Sequence, residues 1–231
     1  MSNFRRPKHL TTRRMQETRP NPPKEQAKAQ RPAREIRWNC PAAAKCGGCQ
    51  LTRLSYAEQL QWKQQRVAEL LDGICEVRPI LGMDDPFHYR NKVHAVLAVD
   101  KAGKPISGVY AMGTHRVVPV RHCLIEDCRA DRIIQTIVAM LPAYKLRIYN
   151  EYTHRGFLRH ILIRTGHVTG QIMVVLVATS LEFPGKKAFV QELIQRHPEI
   201  TTVVLNCNQR ETSMVPVSYT HLRAHETRSN L

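Results

Sequence analysis

The stretch FLRHILIRTGHVTGQIMVVLVAT, residues 157–179, is the part of the sequence that decides the fold. It contains two apolar segments of strand length, residues 157–165 and 171–179, and a short turn with glycine separates them. Two such segments joined by a short turn are typical of neighbouring antiparallel strands. The stretch therefore predicts a pair of adjacent strands in a β-sheet.

Further strands and helices are predicted on both sides of this pair. Alternating or continuous apolar residues indicate strands at 92–99, 105–120, 146–152 and 201–206, and helical periodicity indicates helices at 129–141 and 186–195. Ser55 opens another helix, because Glu58 three residues later completes a capping-box pattern. We expect that helix to end at Gly73 and to bury a stripe made of Leu60, Val67, Leu70 and Leu71. Strands in runs with intervening helices predict the α+β class, with a mostly antiparallel sheet and flanking helices.

The composition divides the chain into three regions. Residues 1–39 are rich in Arg, Lys, Gln and Pro and lack periodicity, which predicts a disordered basic tail. Residues 40–215 carry all the predicted helices and strands and form one domain. Residues 216–231 include VSYTHLRAHETRSNL, which has neither a strand period nor a helix period and resembles translated adapter sequence. We expect that last region to be foreign to the fold.

The charge balance predicts a polyanionic partner. The chain has 35 Lys and Arg against 19 Asp and Glu, a formal net charge of +16. Residues 1–39 hold eleven Lys and Arg and three Glu, or 11 − 3 = +8, so the other +8 lies in residues 40–231. Nucleic acid is the commonest partner of such a protein, and the basic tail adds non-specific affinity or only solubility.

The sequence also predicts a cytoplasmic protein. The longest apolar stretch, Ile172 to Ala178, is too short to span a bilayer, and the N-terminus has no apolar core of a secretory signal. We therefore expect no membrane partner. Because disulfides are rare in the cytosol, the seven cysteines suggest metal ligation instead.

Three of the cysteines form a compact motif, Cys40-x5-Cys46-x2-Cys49. Gly47 and Gly48 lie within it and allow the close backbone approach and positive φ angles that a chain wrapped around a metal centre needs. A site of this kind needs a fourth ligand. The downstream candidates are Cys123 and Cys128, with Cys75 and Cys207 less favoured. The spacing fits both zinc and an iron-sulfur cluster.

Several longer segments resemble one enzyme family. These are CGGCQLTRLSYAEQLQWKQQRV, PILGMDDPFHYRNKVH, GVYAMGTHRVVPVRHC and RGFLRHILIRTGHVTGQIMVVLV, and together they are similar to bacterial RNA uracil-C5 methyltransferases. The resemblance extends from residue 39 to about residue 212 and is strongest to the enzymes that methylate 23S ribosomal RNA. It implies that Cys40, Cys46, Cys49 and Cys123 hold a 4Fe-4S cluster.

The resemblance also implies the reaction. Family members use S-adenosylmethionine to methylate uridine in RNA, and a separate C-terminal Rossmann-like domain holds the methyl donor and the catalytic cysteine and base. We expect this chain to stop before that domain, so it has no catalytic residue and is inactive in isolation. It would be the cluster-bearing, RNA-recognition part of a monomeric enzyme whose partner is ribosomal RNA. The alternative is a stand-alone zinc-binding RNA module that is not an enzyme.

Five cationic side chains are candidates for RNA contacts. Arg90 and Lys92 are two residues apart at the start of a predicted strand, so they share one face of the sheet. His115 and Arg116 lie at a probable turn, and Arg159 lies within the segment FLRHILIR. By residue chemistry alone these are ordinary solvated positions, and Arg159 could instead pair with a core carboxylate. The family resemblance favours contacts with phosphate.

Overall fold

The computed structural model describes residues 38–209. Residues 1–37 of the predicted disordered tail, which spans 1–39, and the whole predicted adapter-like end, residues 216–231, lie outside this range. Between residues 38 and 209, no helix has the length and apolar character needed to cross a membrane. The elements are α1 Ala43–Cys46, α2 Tyr56–Leu70, β1 Lys92–Val99, β2 Pro105–Tyr110, β3 Val117–Pro119, α3 Cys128–Met140, β4 Leu158–Thr165, β5 Ile172–Ala178, α4 Lys186–Arg196 and β6 Ile200–Cys207.

The six strands form one sheet in the order β3-β2-β1-β4-β5-β6. Every neighbouring pair is antiparallel except β5 and β6, which are parallel because α4 carries the chain back across the sheet. The predicted α+β class and the mostly antiparallel sheet are confirmed. The hairpin of β4 and β5 is also confirmed, and it lies between β1 and β6.

Helix α2 begins as predicted but packs differently. Ser55 N donates to Glu58 Oε2 at 2.6 Å and Glu58 N donates to Ser55 Oγ at 3.4 Å, which confirms the capping box. The predicted apolar stripe is wrong, because Val67 is 44% exposed and Leu70 is 60% exposed. The helix is anchored through its first turn instead, where the Tyr56 hydroxyl accepts a hydrogen bond from the backbone N–H of residue 83.

Two of the predicted strands also differ from the structure. Residues 105–120 form β2 and β3 rather than one strand, since a hairpin closed by a hydrogen bond from Ala111 N to Arg116 O separates them. Residues 146–152 form no regular strand and make only isolated bridges from Ile148 and Asn150. The alternation of apolar residues in that segment reflects its partial burial against the core rather than a place in the sheet.

The two faces of the sheet have different roles. One face packs against α3 and α4 and forms the main core, with fully buried side chains such as Ile137, Ile161 and Val174. The opposite face carries a smaller apolar cluster around Leu162, Val175 and Val177, together with the buried His160 and the half-buried His94. Since side chains alternate along a strand, the continuous apolar run of β4 is explained by burial on both faces.

A β-bulge in β4 positions Arg159. The register with β5 shifts between Leu158 and His160, so Arg159 is the extra residue. Its side chain is 1% exposed, and Nη2 donates to both carboxylate oxygens of Glu151 at 2.9 and 3.2 Å. The guanidinium also lies 4.5 Å from the centre of the Tyr149 ring. Of the two alternatives drawn from the sequence for Arg159, the structure therefore favours pairing with a carboxylate over contact with RNA.

We predict that Arg159→Ala lowers the free energy of unfolding by about 3 kcal/mol, because it removes a buried guanidinium and leaves the Glu151 carboxylate without its partner. The exposed Arg164, on the same strand, is the matched control, and Arg164→Ala should cost less than about 0.5 kcal/mol. Urea denaturation followed by circular dichroism measures both values. Equal losses in the two variants would contradict a buried structural ion pair at Arg159.

Candidate metal centre and nucleic-acid interface

The cysteine loop depends on its two glycines. Helix α1 is a single turn that ends at Gly47, which has φ of 66° in the left-handed region. A Cβ atom on Gly47 would lie 3.3 Å from side-chain atoms of Met112, and a Cβ atom on Gly48 would lie 3.3 Å from Cys46 Sγ. Larger residues would therefore push the chain away from both neighbours. These contacts match the close approach expected from the sequence.

Four cysteines line one cavity. Cys40, Cys46 and Cys49 come from the loop around α1, and Cys123 comes from the segment that follows β3. The cavity measures about 430 Å³, including the part open to solvent, and its other walls are mainly apolar. The remaining three cysteines, Cys75, Cys128 and Cys207, do not line it. All seven cysteines are free thiols.

The four thiols are not drawn together as metal ligands. Among residues 38–209, no group of three or more His, Cys, Asp and Glu side chains has an arrangement that would hold a metal ion. Burial raises the pKa of Cys123 to about 11. Burial also raises the pKa of Cys49, opposed by Arg90, and the nearby Cys46 and Cys40 raise it further. The donor set suits a thiolate-ligated metal, and binding a metal would displace these protons.

A pair of buried carboxyl groups holds the segment around Cys123. The backbone N–H of Cys123 donates to Asp131 Oδ2 at 2.8 Å. Burial, with a smaller effect from Asp131, raises the pKa of Glu126 to about 7. Arg90 Nη1 lies 3.9 Å from Glu126 Oε1. Sequence reasoning missed both acids, because nothing in the spacing of Glu126 and Asp131 distinguishes them from solvated residues.

Backbone hydrogen bonds join the HYRNK motif, residues 88–92, to the same segment. Arg90 N donates to Ile125 O at 2.7 Å, and Asp127 N donates to Arg90 O at 3.1 Å. His88 Nδ1 lies 2.7 Å from Glu126 O. The motif and the segment of Cys123, which sequence analysis treated separately, are therefore one structural unit.

The predicted RNA-contacting cations, apart from Arg159, lie at one end of the sheet. Lys92 begins β1 and pairs across strands with Arg164, and both side chains are exposed. Because β2 runs antiparallel to β1, the hairpin of His115 and Arg116 that follows β2 lies at the same end of the sheet as the start of β1. Arg90 precedes β1 and is also exposed. We call Arg90, Lys92, His115, Arg116 and Arg164 the cationic end.

Arg164 was missed by the sequence analysis. Its position at the end of an apolar strand was visible, since it is the single charged residue between Ile161 and Thr165. What the sequence did not reveal was its partner, because the register of β4 against β1 is set by tertiary packing.

A groove connects Arg90 of the cationic end with the cysteine cavity. It measures about 700 Å³, including the part open to solvent, and its lining includes Arg90, Tyr110 and Met112 on the sheet side. Cys49 and Cys123 line its other side and also line the cysteine cavity. The two candidate sites therefore share a wall.

The chain is similar to curated RNA methyltransferases. No protein-family model matches the sequence. An uncharacterized RNA methyltransferase from Clostridium tetani is 38% identical over 187 residues, which cover 79% of this chain and 40% of the relative. An uncharacterized RNA methyltransferase from Bacillus cereus is 36% identical over 181 residues, which cover 76% of this chain and 39% of the relative. The chain thus spans about 40% of the length of these relatives.

A solved structure has a similar fold. The crystal structure of the Pyrococcus abyssi tRNA (uracil-54, C5)-methyltransferase in complex with S-adenosyl-L-homocysteine matches with a TM-score of 0.53 and 22% sequence identity. The match covers 76% of this chain and 40% of that one. The sequence relatives identify this chain as a member of an RNA methyltransferase family, and the solved structure shows that a tRNA methyltransferase has a similar fold.

Proposed function

We propose that this chain is the cluster-bearing and RNA-recognition part of an enzyme that methylates C5 of a uridine in 23S ribosomal RNA. The observation that carries the proposal is the shared groove, since it joins the four-cysteine cavity to the cationic end. The relatives named RNA methyltransferases support an RNA substrate. Ribosomal RNA is the finer part of the proposal and rests on the resemblance of the sequence motifs.

The methyl donor of the whole enzyme is S-adenosylmethionine in this proposal. The Pyrococcus abyssi structure contains S-adenosyl-L-homocysteine, the product that this donor leaves after methyl transfer. We assign no catalytic residue and no part of the donor site to residues 38–209. We expect the protein to work as a monomer in the cytoplasm, where its seven cysteines stay reduced.

The cations of the cationic end contact RNA phosphates in this proposal. Arg90, Lys92 and Arg116 are exposed at this end of the sheet, with His115 next to Arg116, and Arg90 also lines the groove. Arg164 is added because it pairs across strands with Lys92. Arg159 is not included, because Glu151 already binds its guanidinium. Phosphate contacts of this kind position RNA and carry no sequence preference by themselves.

The cysteine cavity holds a 4Fe-4S cluster in this proposal. Cys40, Cys46, Cys49 and Cys123 are the ligands, because they are the cysteines that line one cavity. Four thiolates in a mainly apolar cavity suit such a cluster. Bound there, it would cross-link the cysteine loop to the segment after β3, and that segment is already tied to Arg90 by backbone hydrogen bonds. Cluster binding would therefore also stabilise the RNA-facing residues.

We predict that the protein, purified without oxygen after expression with added iron, contains iron and acid-labile sulfide in equal amounts. Elemental analysis and the broad visible absorption of iron-sulfur clusters measure this. Stoichiometric zinc without iron would contradict the proposed cofactor and would favour a zinc-binding module.

The choice of the fourth ligand has a matched control five residues away. Cys123→Ser should lose the cluster and lower the melting temperature, because the metal links distant segments of the chain. Cys128→Ser should keep both iron and stability, since Cys128 is exposed at the first turn of α3. The reverse result would show that Cys128 is the ligand.

We predict that the affinity for RNA falls steeply with salt. Each phosphate contact contributes roughly −0.7 to −0.9 to the slope of log affinity against log salt concentration, so four contacts imply a loss of about fifty- to 150-fold between 50 and 200 mM salt. Arg90→Ala should reduce the magnitude of this slope by about the contribution of one phosphate contact. Fluorescence anisotropy with a labelled fragment of 23S RNA measures the slope.

Lys187 in α4 provides the control for this measurement. It is exposed, and its helix packs on the face of the sheet that forms the main core. Lys187→Ala should leave the salt slope within error of the unmodified protein. If Lys187→Ala and Arg90→Ala change the slope equally, the binding is spread over the whole basic surface and the cationic end is not the interface.

A further inference from the structure

The loop of residues 149–156 presents an exposed aromatic ring. Tyr152 is 83% exposed at its tip. The side chain of Asn150 fixes the backbone there, because Oδ1 accepts hydrogen bonds from Tyr152 N at 2.8 Å and from Thr153 N at 3.0 Å. A further backbone bond from Asn150 N to Arg155 O, 2.8 Å long, closes the loop. The ring is thus held outward on a rigid turn.

The base of this loop is tied to the sheet through the Arg159 side chain. Glu151 pairs with the guanidinium, and Tyr149 stacks against it at 4.5 Å. The Tyr149 hydroxyl also lies 3.1 Å from His154 Nδ1. A loop that is already ordered loses little conformational entropy when it binds a partner. Arg159 therefore acts as a positioning residue for the loop.

Tyr110 and His115 lie on the side of the sheet to which this loop is tied. Val96 pairs with Gly108, and His94 and Tyr110 each lie two residues from that pair in their strands. Because side chains alternate along a strand, His94 and Tyr110 lie on the same face of the sheet. The His94 ring contacts the His160 ring with 4.9 Å between centroids, and Arg159 immediately precedes His160 in the bulge.

Electrostatic effects at Tyr110 agree with this arrangement. Burial raises the pKa of Tyr110, Glu151 and Tyr152 raise it further, and Arg159 lowers it. The Tyr110 ring meets the His115 ring edge-on, with centroids 5.5 Å apart. The loop and the β2–β3 hairpin therefore lie on the same side of the sheet, and His115 and Arg116 of the hairpin belong to the cationic end.

The charges of this surface suit an anion. Arg116 and Arg155 are exposed, as are His115 and His154. Glu151 is the one carboxylate in residues 149–156, and its ion pair with Arg159 neutralises it. An aromatic ring flanked by cations is the arrangement that binds single-stranded nucleic acid, because bases stack on the ring while cations contact phosphates.

We infer that Tyr152, together with the Tyr110–His115 pair, is a stacking platform for an unpaired base of single-stranded RNA, with Arg116 and Arg155 on the flanking phosphates. The inference rests on the proposed RNA-binding function and adds a preference for unpaired over duplex RNA. A duplex offers no unpaired base to this platform, because its bases are already stacked on each other.

The test compares one sequence in two forms, a short uridine-rich oligonucleotide and its duplex with the complementary strand. With the full chain, Tyr152→Ala should weaken binding of the single strand about tenfold, within the range measured for loss of one base–aromatic stack. Duplex binding should change less than twofold. Tyr152→Phe should restore single-strand affinity, because the ring and not the hydroxyl stacks.

Trp62 is the control, since it is 50% exposed on α2, an element that is not part of this surface. Trp62→Ala should change neither affinity. Equal single-strand affinity of Tyr152→Ala and the unmodified chain overturns this inference, and so does an equal loss for both RNA forms. If the unmodified chain binds neither form, the proposed RNA-binding function itself fails.

A photochemical measurement locates the contact independently. A single strand with one 5-iodouridine, irradiated in complex with the unmodified chain, should cross-link to Tyr152 or Tyr110, as identified by mass spectrometry of the peptides. Cross-links found only at other residues overturn the inference.

Discussion

The structure depends on the antiparallel pairing of β1 with β4. This register sets Lys92 against Arg164 and brings together segments that are about seventy residues apart in the chain. It joins the β1–β2–β3 part of the sheet, which carries the hairpin of His115 and Arg116, to the β4–β5–β6 part. A shift by one residue would exchange the two faces of β4 and move the buried His160 into the apolar main core, which keeps the register fixed.

The two faces of the sheet that contains this pairing have different roles. One face is filled by α3 and α4 and provides the stability of the domain. The other face holds His94, His160 and the guanidinium of Arg159, which would be costly to bury without partners. The bulge turns the Arg159 side chain toward Glu151 and Tyr149, which gives the buried guanidinium its partners. The same contacts fix the loop that carries Tyr152.

The cysteine cavity and the cationic end are connected through the backbone of one short segment. Residues 88–92 are bonded to residues 124–127, and Cys123 lies immediately before that stretch. The proposed cluster would cross-link the cysteine loop to this segment and would thereby hold Arg90 in position.

The sequence by itself determined the local elements: the capping box at Ser55, the β4–β5 hairpin, α3, α4 and the glycine-dependent cysteine loop, because hydrogen bonding and side-chain periodicity over a few residues specify them. Only the tertiary structure decided which charged side chains are exposed and which are buried against a partner. Arg159 and Arg164 are five residues apart on one strand, yet the first is buried against Glu151 and the second is exposed beside Lys92. The partners that decide this difference come from other segments, and long-range packing brings them into contact.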